Sequence, residues 1–248
     1  MKTMIAFDLD GTLAESKQPL KDDMAATLKG LLDVASVAVI SGGDWPQFDK
    51  QVASRLPAGT KLERLFLMPT TGSKLYRYRD GAWVRIYADD FSRAEHDEIL
   101  GALKKAAKEL GYDQEQTWGA QIEDRGSQIT FSALGQEAPL EAKDKWDPDQ
   151  KKRRAMQAIV ERDIPGLSVK VGGSTSIDIT REGVDKAWAI VKLCEHSGVA
   201  REDILFMGDA IYPGGNDDPV RAAGIDSIKV RDPAETMTAI AAVVACSK

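Results

Sequence analysis

The chain is poor in cysteine and in aromatic residues, and it has no long apolar run. Its two cysteines, Cys194 and Cys246, lie far apart and match no metal-ligand spacing. Cys194 fits the apolar face of a helix, and Cys246 falls in a C-terminal tail, so a reducing compartment is expected. No apolar stretch reaches bilayer-spanning length and no secretory leader pattern is present, so a cytoplasmic protein without a membrane partner is expected. A basic block is also missing. The net charge is −6, and the densest basic run, Lys151-Lys152-Arg153-Arg154, follows Asp147 and Asp149 and reads as a solvated helix face. Nucleic acid is therefore not an expected partner. There is neither an internal repeat nor a low-complexity segment. The length of 248 residues suits one large domain or two modest ones.

What is present begins at the start of the chain, in Phe7-Asp8-Leu9-Asp10-Gly11-Thr12. Two carboxylates stand two residues apart, directly after the apolar run Met4-Ile5-Ala6-Phe7. That run reads as a short buried strand, and Gly11-Thr12 as the turn that ends it. Carboxylates at the C-terminal end of such a strand in an open α/β sheet lie where these sheets bind ligands. The pair suggests a cation site and a nucleophile. The plain alternative is two acids capping a turn, and the rest of the chain has to decide.

The first part alternates strand and helix. A helix is expected over 21–32, a strand over 36–40, a helix over 45–56 and a strand over 65–68. Strand–helix–strand order at this spacing implies parallel pairing with right-handed crossovers. Residues 76–83 read as a hairpin with Asp80-Gly81 as its turn. The middle differs in kind: helices over 91–110 and 149–162, and strands over 121–123, 128–131, 167–171 and 176–179. The last part returns to α/β order, with a helix over 186–196, strands over 204–207 and 227–230, and a closing helix over 233–244 that has proline in its first turn. The fold class expected is α/β: a Rossmann-like parallel-sheet core, 1–83 with 183–248, into which an α+β domain, 84–182, is inserted.

Further clusters fall on this frame. Ser41 follows the second strand, as a hydroxyl donor to a phosphate oxygen would; locally a turn or helix-cap serine explains it as well. Lys186 opens a helix, a position the dipole disfavours. The mild cost suggests a use elsewhere, although surface lysines are common. Gly208-Asp209 follows the strand 204–207, and Gly214-Gly215-Asn216-Asp217-Asp218 lies just beyond. An acid after a buried strand, then a glycine-rich turn with more acids, suits a hard cation such as Mg2+, which takes few protein carboxylates and keeps several waters.

In this order the four clusters resemble the four motifs of the haloacid-dehalogenase-like phosphotransferases. The resemblance implies that Asp8 is the nucleophile, forming an aspartyl-phosphate, and Asp10 the general acid/base. It implies that Ser41 and Lys186 bind the transferring phosphoryl group. Asp209 would ligate Mg2+ with Asp8 and the main-chain carbonyl of Asp10, and Asp217 would support the metal and the lysine. The insertion matches the family's larger cap type, which closes over the site and selects substrate.

A narrower resemblance covers nearly the whole chain. The stretch from Gly208-Asp209 through Pro213-Gly214-Gly215-Asn216-Asp217 looks like the fourth motif of eukaryotic-type phosphomannomutases. Gly172-Gly173, Ser176, Asp178 and Glu182-Gly183-Val184-Asp185-Lys186 are similar to that family's cap exit, and Arg125-Gly126 falls at a substrate arginine. By this resemblance Arg125, Lys143, Ser176 and Asp178 bind a phosphorylated sugar; the family's eukaryotic members pair through their caps, and the apolar residues of 91–110 would permit a homodimer of that kind without demanding it. The departures are informative. Gln136 and Lys143 hold the places of further cap arginines, Lys17 replaces an arginine near the first motif, and the loop 219–224 lacks the family's acid. Lysine supplies a point charge without a bidentate fork, and glutamine no charge at all.

A mutase must hold two phosphates at once, and each dianion needs several strong donors. Losing one guanidinium from a charged hydrogen bond costs about 1.5–3 kcal/mol. A phosphatase needs one phosphate site and a water. The weakened cap favours a Mg2+-dependent sugar-phosphate phosphatase. The alternative is a mutase of phosphomannomutase type, since Arg125 and Lys143 could hold a second phosphate. A non-catalytic binding module is the third reading, disfavoured because every expected catalytic position is filled.

Overall fold

The protein, described here from a computed structural model covering residues 2–247, divides into two compact units. One joins Met1–Ala88 to Val184–Lys248, and the other is Asp89–Gly183.

The first unit opens with β1 (Met4–Phe7), α1 (Asp22–Val34), β2 (Ser36–Ile40), α2 (Trp45–Gln51), β3 (Leu65–Met68), β4 (Lys74–Arg79) and β5 (Ala82–Ala88). The second unit holds α3 (Arg93–Leu110), β6 (Ile122–Asp124), β7 (Ile129–Ser132), α4 (Leu140–Trp146), α5 (Lys151–Asp163), β8 (Leu167–Val171) and β9 (Ser176–Arg181). The first unit then resumes with α6 (Lys186–Ser197), β10 (Ile204–Gly208), α7 (Asp218–Ala222), β11 (Asp226–Lys229) and α8 (Pro233–Cys246).

Its seven-stranded sheet has the order β11-β10-β1-β2-β3-β4-β5. The strands from β11 to β3 are parallel, and β4 and β5 add an antiparallel hairpin. The α/β expectation holds, with a parallel-rich core. Val84, where the sequence pattern placed the start of the insertion, lies inside β5, and the unit boundary falls after Ala88. The expected helix over 45–56 ends at Gln51 and passes into a 3-10 turn at Ala53–Arg55. Short helices α4 and α7 carry too little periodicity to stand out in the sequence.

The central parallel strands β1, β2, β3 and β10 are almost wholly apolar because both faces are covered, whereas the edge strand β11, Asp226-Ser227-Ile228-Lys229, is largely exposed. Alternate residues of β1 serve opposite layers. Ile5 and Phe7 pack with Leu28 and Leu31 of α1 and Ile240 of α8, while Met4 and Ala6 pack with Ala189, Ile190 and Leu193 of α6. From β1 the chain moves outward to β2 and β3, and it returns on the other side of β1 to form β10 and β11. The strand order therefore reverses at the β1/β10 seam. The carboxyl ends of the strands at such a reversal form a crevice that helices do not fill.

The second unit is a four-stranded antiparallel sheet, β6-β7-β9-β8. Ile129, Phe131, Ile177, Ile179 and Val169 pack against Ile99 and Leu103 of α3 and Met156 and Val160 of α5. The residues between them, Thr130, Ser132, Ser176 and Asp178, belong to the opposite, polar face. A capping box of Ser92 and Glu95 starts α3, and Gly111 at φ 75° ends it. Among the described residues no helix is long and apolar enough to cross a membrane.

Candidate active site

Asp8 is the first residue past β1, and Asp209 the first past β10. The two strands pair in register, Phe7 opposite Met207, and the Asp8 N–H donates to the Met207 carbonyl at 3.0 Å. Both carboxylates thus leave neighbouring strands at the reversal seam. Ser41 is the first residue past β2, whose Val39 also lies opposite Phe7. It caps no helix, because α2 begins at Trp45 with Asp44 at the cap.

The residues after the acids are as constrained as the acids. Gly11 has φ 91°, and a Cβ there would stand 2.7 Å from Asp209 Oδ2. Only glycine admits that carboxylate. Thr12 is fully buried; its hydroxyl accepts from the Asp209 N–H at 3.0 Å and donates to Asp209 Oδ1 at 3.3 Å. A Cβ on Gly208 would meet Asp217 Oδ2 at 2.4 Å, so this glycine too makes room for a carboxylate.

Lys186 is not the solvated lysine that its helix-start position allows. It is 2% exposed and donates to Asp8 Oδ1 and, at 2.5 Å, to Asp217 Oδ1. Asp217, wholly buried, also accepts from the Ala210 N–H at 2.9 Å. Burial opposes the charge on Lys186, but Asp8 and Asp217 outweigh it and hold the ammonium above its ordinary range. Burial raises the Asp8 carboxyl to about 6; Lys186 counteracts this and Asp217 adds to it.

Ligand oxygens of Asp8, Asp209 and Asp217 lie within 4.8 Å of one another. Three carboxylates share one ammonium, so in ionised form the cluster has two negative charges too many for its own cation. A surplus of hard oxygen donors around a small space fits Mg2+. The donor set therefore agrees with the ion that the motifs imply.

The Asp10 carboxylate lies outside this cluster. Its Oδ1 accepts from the Lys17 main-chain N–H at 2.6 Å and from Gln51 Nε2 at 3.3 Å, and its Oδ2 accepts from Gln47 Nε2 at 3.2 Å. Lys17 thus reaches Asp10 through its backbone, at φ 58°. The sequence pattern did not single out Gln47, Gln51 or the Thr12 hydroxyl. Two amides one helical turn apart look like an ordinary solvated face, and nothing nearby in sequence marks their target. A mostly apolar cleft of about 320 Å3 lies elsewhere in the first unit, lined by Leu13, Pro19, Met24 and Met237, and contains none of the clustered acids.

In the second unit Ser176 and Asp178 stand on one face of β9. Asp178 Oδ1 accepts from Thr130 Oγ1 at 2.6 Å and Gln128 Nε2 at 3.1 Å. Arg125 forms a bidentate pair with Glu123 at 2.9 and 2.8 Å. Lys143 on α4 donates to the Gln136 carbonyl at 3.1 Å, and Gln136 Nε2 is buried with no hydrogen-bond partner. The structure thus joins Asp8, Lys186, Asp209 and Asp217 in one group and sets Asp10 beside it in sequence on its own ring of donors. The four residues expected to bind substrate belong to the other unit.

The sequence profile of the haloacid dehalogenase-like hydrolases matches residues 5–217. A phosphomannomutase of Spinacia oleracea is 28% identical over 218 residues, covering 85% of this chain and 83% of that protein. Among solved structures, the IMP-nucleotidase of Plasmodium falciparum superposes with a TM-score of 0.73 at 17% identity, covering 97% of this chain and 68% of that one. A trehalose-6-phosphate phosphatase related protein gives 0.59 at 15% identity, covering 98% and 97%.

Proposed function

Because the chain belongs to the haloacid dehalogenase-like hydrolases, we propose that it is a Mg2+-dependent phosphoryl-transfer enzyme that hydrolyses a phosphorylated sugar. The observation that carries this reading is the buried group at the strand-order reversal, where Lys186 bridges Asp8 and Asp217 and Asp209 completes a surplus of carboxylate oxygens. Asp8, Asp209, Asp217 and the Asp10 main-chain carbonyl would hold the ion. When bound, Mg2+ neutralises these carboxylates and the phosphoryl oxygens, so that an anionic nucleophile can approach phosphorus.

The chain's own groups divide the reaction. Asp8 attacks phosphorus as the bond to the sugar oxygen breaks, and Asp10 gives that oxygen its proton. Ser41 and Lys186 hold the phosphoryl oxygens. Water then attacks phosphorus, Asp10 takes its proton, and the bond to Asp8 breaks to release inorganic phosphate. Arg125, Lys143, Ser176 and Asp178 bind the sugar phosphate. The substrate is a small metabolite, and the enzyme is cytoplasmic.

Hydrolysis is favoured over isomerisation by the state of the second unit's cations. Its less exposed arginines are already engaged: Arg125 by Glu123, Arg153 by Asp147 and Arg181 by Glu95. Gln136 offers an amide donor and no charge. A second phosphate dianion would have to displace an acid from one of these forks. The mutase reading is favoured by the phosphomannomutase relative.

Purified protein given mannose 1-phosphate and Mg2+, with and without a hexose bisphosphate, separates the two. Phosphate release without isomerisation is expected. Isomerisation to mannose 6-phosphate that depends on the bisphosphate would overturn hydrolysis in favour of the mutase.

A further inference from the structure

The donors around Asp10 have a cost that packing alone does not explain. Gln51 is 1% exposed, on a short helix whose other buried side chain is Phe48. Its amide nitrogen meets two acceptors, Asp10 Oδ1 at 3.3 Å and the Gln18 carbonyl at 2.7 Å. Turning the amide over would face its oxygen toward both acceptors, so the orientation is settled by the partners. The consequence is that Gln51 Oε1 is buried with no partner. An unpaired buried carbonyl destabilises a fold, and an apolar side chain of similar size would avoid it.

Gln47 sits one turn earlier on the same face and donates to the other oxygen of Asp10 at 3.2 Å. Its amide also explains a glycine. A Cβ on Gly43 would stand 2.3 Å from Gln47 Oε1, so a side chain there would push the amide off its place. With the Lys17 N–H at 2.6 Å, both oxygens of Asp10 are held from separate directions.

We infer that Gln47 and Gln51 are positioning residues that fix the Asp10 carboxylate for proton transfer. The inference rests on the reading of Asp10 as the general acid and base. Misplacing that group weakens proton delivery to the leaving oxygen while leaving substrate binding intact. An alkyl phosphate, whose leaving oxygen needs a proton, should suffer. An aryl phosphate with a good leaving group should not suffer in its first step.

The test uses the full-length protein and the variants Gln51→Leu, Gln47→Leu and Gly43→Ala, with Asp10→Ala as reference. The kcat and KM for a hexose phosphate are compared with the first-turnover release of p-nitrophenol from p-nitrophenyl phosphate, and the melting temperature of each variant is recorded. The expected result is that kcat for the hexose phosphate falls by about tenfold or more, with KM within about twofold. The p-nitrophenol burst should be retained, and the melting temperatures of Gln47→Leu and Gly43→Ala, which leave the bond from Gln51 to the Gln18 carbonyl in place, should match the parent's. If Gln51→Leu does not fold, Gln47→Leu and Gly43→Ala carry the test, since neither touches the link to Gln18. If Asp10→Ala shows the leaving-group dependence and the glutamine and glycine variants do not, the positioning role is overturned and Asp10 keeps its own. If Asp10→Ala itself shows none, the reading of Asp10 as acid and base is the part that fails.

Discussion

Each unit buries an ion cluster, and the two clusters are built on opposite principles. In the second unit Arg153 and Asp147 balance in charge, and each is satisfied by its own surroundings. Asp147 accepts from the Lys152 and Arg153 N–H groups at 3.0 Å as well as from the Arg153 side chain at 2.8 Å, while Arg153 also donates to the Asp147, Gly172 and Gly173 carbonyls. In the first unit Asp8, Asp209, Asp217 and Lys186 carry three acids to one base. A balanced, fully bonded pair repays its desolvation within the fold. A cluster with surplus charge does not, and it persists where an outside partner completes it. Burial of charge is therefore a weak sign of function, and unbalanced burial a stronger one.

The largest expected effect bears on that imbalance. Asp8→Asn removes the proposed nucleophile, and phosphate release in a colorimetric assay should fall by about 10⁴-fold or more; comparable activity would break the functional reading of the first cluster. The balanced cluster should answer in stability alone. Arg153→Met leaves Asp147 buried without its ion partner and should cost about 3–5 kcal/mol in urea unfolding, with the response to Mg2+ unchanged. Next comes the ion itself. At about a hundredfold excess over its Kd, Mg2+ should stabilise the chelator-treated protein by about 2.7 kcal/mol, read as a rise in Tm, and Asp209→Asn should abolish the rise.

The smallest effect concerns a pair at the surface of the second unit. Arg181 beside Glu95, with the Ser92 hydroxyl and N–H, holds the Glu95 carboxyl down to about 2, below its ordinary 4.5. The folded state thus favours the ionised form, so the contribution is full above pH 4.5 and is lost as pH falls toward 2. Because the pair is open to solvent, Glu95→Gln should cost under about 1 kcal/mol at pH 7. Urea unfolding from pH 7 to pH 2 should show the difference from the parent vanish at the acid end.

How far the sequence reads depends on whether a residue's meaning is local. Asp8 and Asp209 were legible because each ends an apolar strand, and strand ends in an open α/β sheet are where ligands bind. The strand-like runs 128–131 and 176–179 likewise marked β7 and β9 of the second unit's sheet. Lys186 was ambiguous because its partners are remote: Asp8 stands 178 positions away, and a helix-start lysine looks solvated until they arrive. Gln47 and Gln51 were invisible for the same reason, their target lying 37 and 41 positions back. Arg125 was legible as a cation but not as one held by Glu123 two residues before it, because only the turn at 125–127 sets the fork against that carboxylate.

What the amino-acid sequence determined by itself is the frame: which runs become the central strands and which acids close them. Periodicity and strand-end chemistry are local, and they survive without knowledge of neighbours. Only the tertiary structure decided the charge balance. It brought one lysine and three carboxylates to the seam between β1 and β10, and it turned Asp10 onto two amides from α2. The physical reason is that Coulomb energy and hydrogen-bond satisfaction depend on distances of a few ångströms between groups that the chain separates by many residues.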